Sequence, residues 1–181
     1  MTRLNALDPN EATGRSKELF EGIKNKLGMV PNMMRTMGNS SAVLEGYLNL
    51  SDSLSKSSLG SKTGELIALT VAETNACNYC LSAHSFIGEK LANIDTTSLA
   101  EARHGKNNDE KVEAALTFAK TLVNKAGKVS DEDVQAIKAA GYSDGAVGEI
   151  VAHVALNILT NYFNNTANTD IDFPAVKAAE F

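Results

Sequence analysis

GELIALTVAETNACNYCLSAH, residues 64–84, opens on a glycine and a glutamate and closes on a cysteine pair and a histidine. From Glu65 to Glu73 it is apolar on nearly every side of a helix, the pattern of a segment buried all round. Thr74-Asn75 interrupts the run, and a second buried helix is expected from about Ala76 or Cys77 to Leu91. Two consecutive helices without a solvent face belong at the centre of a helical protein, so this stretch sets the fold class as all-α.

The flanks agree. Asp8-Pro9 reads as an N-cap with proline at the first helical position. Leu19, Phe20, Ile23 and Leu27 then recur at helical spacing up to Gly28. A short Met-rich helix follows Val30-Pro31-Asn32, and a further stripe runs from Val43 to about Leu54. Ser55 to Ser61 is a Ser/Gly-rich connection. Downstream, helices are expected at about 95–103, 109–126, from Ser130 to near Gly141, and from Asp144 to about Asn164. The last has Val147, Ile150, Val151, Val154, Ile158 and Leu159 facing inward. Thr166 to Phe181 reads as an irregular tail. No β alternation or short repeat interrupts this pattern, and one domain over residues 1–181, with its core at about 27–174, is expected.

Composition narrows the function. Of the 181 residues 43% are hydrophobic and 22% charged, an ordinary soluble balance. A core at this length buries roughly 70% of the unfolded surface, so no disulfide is needed as a staple. The net charge of −5 comes without a Lys/Arg-rich run, which argues against nucleic acid as a partner. The N-terminus lacks an apolar signal core, and no run approaches the ~18 apolar residues of a membrane span. A cytoplasmic location is therefore expected, where a cysteine pair is more often catalytic or metal-binding than structural.

Both cysteines of the chain and one of its three histidines lie in this one stretch. If Thr74 or Asn75 caps the second helix, Cys77, Cys80 and His84 fall at about 0°, 300° and 340°, on one face. Cys80 and His84 are then i, i+4 neighbours, and Cys77 and Cys80 can close a small disulfide. Three readings of the cluster compete: dithiol redox chemistry, a metal site with these three ligands, or two small buried residues beside a core histidine. Structural zinc sites usually carry a second ligand pair, and His104 and His153 offer no paired spacing. For redox work, lowering a thiol pKa from about 8.5 to about 6 gives roughly 30-fold more thiolate at neutral pH. Nucleophilicity falls by roughly 10- to 20-fold over the same change, so the net gain is a few-fold. A group that also delivers a proton to the leaving oxygen can add roughly 10²–10⁴, and His84 is placed for that.

With its spacing, the segment resembles the AhpD-like alkylhydroperoxidase family of the carboxymuconolactone decarboxylase superfamily. The family pattern is a Glu, eleven residues, then Cys-x-x-Cys-x-x-x-His, matched here by Glu65, Cys77, Cys80 and His84. VPNMMRTM (30–37) and NILTNYFNN (157–165) also resemble its peroxidase-related branch, over roughly Leu27 to Pro174. The resemblance implies an AhpD-like helical bundle whose central helix pair carries the site, and a tendency to form homo-oligomers. It implies a thiol-dependent (alkyl)hydroperoxide reductase without haem, flavin or metal, so no cofactor is expected. Cys80 would attack the peroxide, Cys77 would resolve the sulfenic acid, and His84 would serve Cys80 with Glu65 behind it in a proton relay. The partners implied are a hydroperoxide and a dithiol reductant, dihydrolipoyl or thioredoxin-like. The same residues equally suit a thiol–disulfide oxidoreductase or redox-sensing module that never meets peroxide.

Two positions depart from the family pattern. Tyr79 stands where relatives can carry a second histidine, and Gly64 where many carry arginine, so a shorter relay is expected. Away from the motif, Glu149 and His153 form an i, i+4 pair read as a boundary pair. Met29, Met33, Met34 and Met37 are read as core or oligomer interface, with the capacity to accept an alkyl chain. Asn157, Asn161 and Asn164 are assigned no chemistry.

Overall fold

The computed structural model describes residues 1–179. Among them are nine helices and no strand: α1 Gly14–Leu27, α2 Asn32–Met37, α3 Ser41–Leu54, α4 Gly60–Thr74, α5 Asn78–Lys90, α6 Thr96–Arg103, α7 Glu110–Asn124, α8 Asp131–Ala139 and α9 Asp144–Ala167. The all-α class expected from the sequence is borne out. No helix among the described residues is long and apolar enough to cross a membrane.

Helix α4 is the hub. Every residue from Leu66 to Glu73 is buried, and α5, α6, α7 and α9 all pack on it. Its two polar members inside this run are satisfied. The Thr70 hydroxyl donates to the carbonyl of Leu66 and, at 2.6 Å, to that of Ala102 at the end of α6. Glu73 accepts from Arg103 Nε at 2.7 Å. Burial works against ionisation of Glu73, but Arg103 and the Ala179 N–H outweigh it and hold the carboxyl below its ordinary range.

The turn from α4 to α5 is where the sequence reading needs correction. Neither Thr74 nor Asn75 caps α5. The chain passes through Ala76 at φ 50°, and the Cys77 N–H reaches back to the Ala72 carbonyl at 2.9 Å. This is the bond pattern of a left-handed helix stop, with alanine where glycine usually stands, at a cost of about 1–2 kcal/mol. Helix α9 holds the turn in place: Asn75 Nδ2 donates to Asn161 Oδ1 at 3.0 Å, and Asn165 Nδ2 donates to the Asn75 carbonyl at 2.9 Å. The N-cap of α5 is Cys77 itself, whose sulfur accepts from the Cys80 N–H at 3.3 Å.

Three further boundaries differ. Asp8 caps an isolated turn, accepting the Asn10 N–H at 2.8 Å, and α1 begins only at Gly14. Helix α4 starts at Gly60, so Glu65 lies in its second turn rather than opening it. Helix α9 continues to Ala167, and its inward face is not wholly apolar. Ile150 and Val154 are buried, but Val151 and Leu159 are exposed by 44% and 41%, and the buried stripe continues as Asn157, Thr160, Asn161 and Asn164. Hydrophobicity alone misplaced Val151 and Leu159, because the polar residues carry the i, i+3, i+4 register inward while Val147, Ile150, Val154 and Ile158 pack on the core.

From Asn168, at φ 47°, to Ala179 the irregular chain expected from the sequence lies as a strap across α5, and the rest of that expected tail, Glu180 and Phe181, lies outside the described residues. The Val176 N–H donates to Ser82 Oγ at 2.9 Å, the Ala178 N–H to Asn78 Oδ1 at 2.8 Å, and the Ala179 N–H to Glu73 Oε1 at 2.7 Å. At the other end Asp172 Oδ2 accepts the Asn32 N–H at 2.7 Å, which joins the strap to the start of α2.

Candidate active site

The structure brings together the four residues singled out by the motif. Cys77 and Cys80 are bridged as a disulfide with their Cα atoms 5.4 Å apart, within the range such bridges occupy. His84 Nδ1 lies 2.7 Å from Glu65 Oε2, across the α4–α5 contact. An ionised carboxylate only accepts, so this bond assigns the proton to Nδ1 and leaves Nε2 as the basic atom of a neutral ring. The hydrogen bond that Cys80 Sγ receives from a side chain comes from Asn164 Nδ2 at 3.4 Å.

Two cavities flank this cluster. The first, of about 200 Å³, is lined by Met29, Met33, Met34, Phe86 and Phe173, with Cys80 and His84 at its wall. The methionines expected to form core or interface thus divide: Met37 is buried in the core, while the other three face this cavity. Phe173, from the strap, stands edge-on to Tyr79 at 5.8 Å and tilted against Phe86 at 5.9 Å. Cys77 is fully buried and does not reach the lining. Of the two cysteines, only Cys80 is part of the cavity lining.

The second cavity, also of about 200 Å³, lies on the other side of the Glu65–His84 pair. Its walls are mixed and more polar than those of the first: Ser51, Glu65, His153 and Asn157 line it beside Leu54, Ala68 and Leu156, and it shares Tyr47, His84 and Thr160 with the first. Burial and the Glu65 carboxylate push the Tyr47 phenol up to about 12. His153 is more than a boundary residue. Its Nε2 sits 3.2 Å from Ser57 Oγ, while Glu149 Oε2 accepts from both the N–H and the hydroxyl of Ser58, so the pair pins the α3–α4 connection to α9. Burial lowers the His153 pKa against the opposing pull of Glu149 and Glu65. A Cβ on Gly64 would stand 3.2 Å from the His153 ring, so the glycine departure and this histidine occupy one shared space.

Tyr79, at the other departure, is buried, and its oxygen accepts the Met33 N–H at 3.2 Å. Burial, with Asp172 nearby, raises its pKa far above neutral, so it stays a phenol and is no base for the cysteines. Among the described residues, no three His, Cys, Asp or Glu side chains are grouped so as to hold a metal ion. Asn164 is the residue the sequence reading passed over. Its signal was available in the spacing 157, 160, 161, 164, which continues the buried stripe of α9.

Comparison with known proteins supports the resemblance. Residues 41–89 match the model of the carboxymuconolactone decarboxylase family, a span that contains α4 and all four motif residues. The fold is AhpD-like. An uncharacterized peroxidase-related protein of Ralstonia eutropha JMP134, described as an alkylhydroperoxidase AhpD core, is similar at a TM-score of 0.84 and 20% identity, over 94% of this chain and 92% of that one. An uncharacterized peroxidase-related protein of Silicibacter sp. TM1040 gives 0.79 and 23%, over 94% of both chains. The debrominase Bmp8, as a cysteine-to-alanine variant in complex with 2,3,4-tribromopyrrole, gives 0.78 and 22%, over 95% of this chain and 92% of that one. No curated protein matches. The resemblance read from residues 64–84 is thereby borne out.

Proposed function

We propose that the protein is a thiol-dependent reductase of organic hydroperoxides. The observation that carries this reading is the bridged Cys77–Cys80 pair with only Cys80 facing an apolar cavity, beside a histidine held by a carboxylate. In the reduced enzyme the Cys80 thiolate attacks the terminal oxygen of ROOH. The O–O bond breaks, the alcohol leaves with a proton routed through His84, and Cys80 becomes a sulfenic acid. The Cys77 thiol then displaces water from that sulfenic acid and closes the disulfide. Glu65 stabilises the imidazolium that forms while His84 carries the proton. An external dithiol, dihydrolipoyl or thioredoxin-like, reduces the bridge and becomes a disulfide itself.

A second substrate class is favoured by the aromatic and methionine lining together with the likeness to a debrominase. The same two thiols would convert a brominated aromatic to the hydrogen-substituted ring, releasing bromide and a proton and closing the same disulfide. One experiment separates the readings. Reduced protein, freed of reductant, receives one equivalent of cumene hydroperoxide or of a bromopyrrole, and free thiols and intact mass are followed over seconds. The peroxidase reading expects loss of both thiols and of two hydrogens with the hydroperoxide, and no loss in Cys80→Ser. Thiols that outlast minutes with hydroperoxide overturn it. Oxidation by the bromopyrrole alone would establish the second reading, and inertness to both would favour simple disulfide exchange or redox sensing.

A further inference from the structure

The buried stripe of α9 begins apolar and ends in amides, and the amides differ in what they do. Asn157 Nδ2 donates to the carbonyl of His153 in its own helix at 2.9 Å. Asn161 uses its carbonyl to hold Asn75. Asn164, only 2% exposed, has neither role. Its Nδ2 is 3.4 Å from Cys80 Sγ, and its Oδ1 has no hydrogen-bond partner among the described residues.

A buried amide with one end unpartnered is poorly compensated by a disulfide sulfur, which is a weak acceptor. The same contact becomes charge-assisted, and roughly twice as strong, when the sulfur is a thiolate. The amide is therefore matched to a state of Cys80 other than the bridged one. Its orientation is fixed by the same logic: a thiolate only accepts, so the NH₂ end must face it. The two sulfurs are served separately, Cys77 by the backbone N–H of Cys80 at the start of α5 and Cys80 by a side chain from α9.

We infer that Asn164 is a catalytic residue that stabilises the Cys80 thiolate through its side-chain amide and so selects Cys80 as the attacking sulfur. The inference rests on Cys80 being the reacting thiol, but not on the identity of its substrate. The start of α5 favours a thiolate at Cys77, whereas the cavity lining and the Asn164 amide both favour Cys80.

The test is a pH titration of thiolate ultraviolet absorbance in the reduced full-length protein, with Cys77→Ser in the background so that Cys80 titrates alone. Asn164→Leu removes the donor at similar volume, and Asn164→Asp keeps the shape but offers a carboxylate. Both are expected to leave about tenfold less thiolate at neutral pH, a rise of about one pH unit in the midpoint. Leu159→Ala, on the exposed face of the same helix, is expected to leave the curve in place. Should the leucine variant fail to fold, as read by circular dichroism, Asn164→Ala, which removes the donor without adding a charge, carries the decision. Curves for the Asn164 variants that overlay the parent overturn the inference. Because no peroxide is used, this result is independent of the peroxidase reading. A shifted titration in a protein inert to hydroperoxide would retain Asn164 and discard the substrate, and an unshifted one in an active peroxidase would do the reverse.

Discussion

The two cavities that meet at His84 are similar in size and differ in character. One is walled largely by methionine and phenylalanine and has a single cysteine, Cys80, in its lining. The other sets serine, asparagine, glutamate and histidine among leucine and alanine, is the more polar of the two, and has no cysteine in its lining. The His84 ring belongs to both, with its Nδ1 committed to Glu65. An organic molecule gains from entering the first by leaving water, whereas water and protons are at home in the second. A histidine set between them can take a proton from the polar side and release it on the apolar side without opening the substrate space to solvent. What the contrast teaches is that reagent and proton need not enter by one route.

Three substitutions probe this division, in descending order of expected effect. Glu65→Gln keeps the side-chain shape but removes the charge behind His84. Turnover is expected to fall by about 10²-fold with KM little changed, since proton delivery is lost while the apolar walls remain. A loss seen only in KM would place Glu65 in substrate binding instead. Phe173→Ala opens the strap side of the apolar cavity. It is expected to raise KM for cumene hydroperoxide about 5- to 10-fold and to leave hydrogen peroxide nearly untouched, because only the larger molecule uses the wall. Equal effects on both would make the wall a structural support.

The smallest effect belongs to the polar side and reads out as stability. The pKa of His153 is lower in the folded state than in the unfolded one, so below about pH 6.5 the unfolded chain binds the extra proton more readily. Stability is therefore complete above that value and falls as pH drops toward the folded pKa. His153→Gln is expected to flatten this fall in urea-denaturation midpoints measured from about pH 7 to 5. Glu149, whose carboxyl is held low by the Ser58 hydroxyl and N–H, loses its contribution only in more acidic solution and does not mask the effect.

Much of this was legible from residues 64–84. An uninterrupted apolar helix announced the hub, and the spacing of Glu65, Cys77, Cys80 and His84 announced the cluster. Local patterns could not supply what depends on tertiary approach. The α5 cap depends on alanine adopting a left-handed conformation, which its own propensity opposes and contacts from α9 enforce. The roles of Asn161 and Asn164 were hidden because a polar residue on a helix ordinarily signals solvent, and only packing shows that these point at a turn and a sulfur. Of the cavity walls, the methionines were legible as a soft apolar cluster, whereas the Phe173 side was hidden because the strap that carries it has no periodicity to read.

That strap bears on the order in which the protein becomes itself. The His84–Glu65 contact closes over 19 residues of chain, and the disulfide over 3, whereas the Asn32–Asp172 bond beside the cavity closes over 140. Short loops close early and long ones late. A refolding chain therefore brings the motif residues together in a local helical hairpin before α9 supplies its amides and before the cavity walls have assembled. The strap carries no helix and is held by hydrogen bonds and the Phe173 contacts, so local opening releases it at less cost than the buried helices. In the proposed reductase, discrimination between reagents is therefore acquired after the hairpin that carries the thiols.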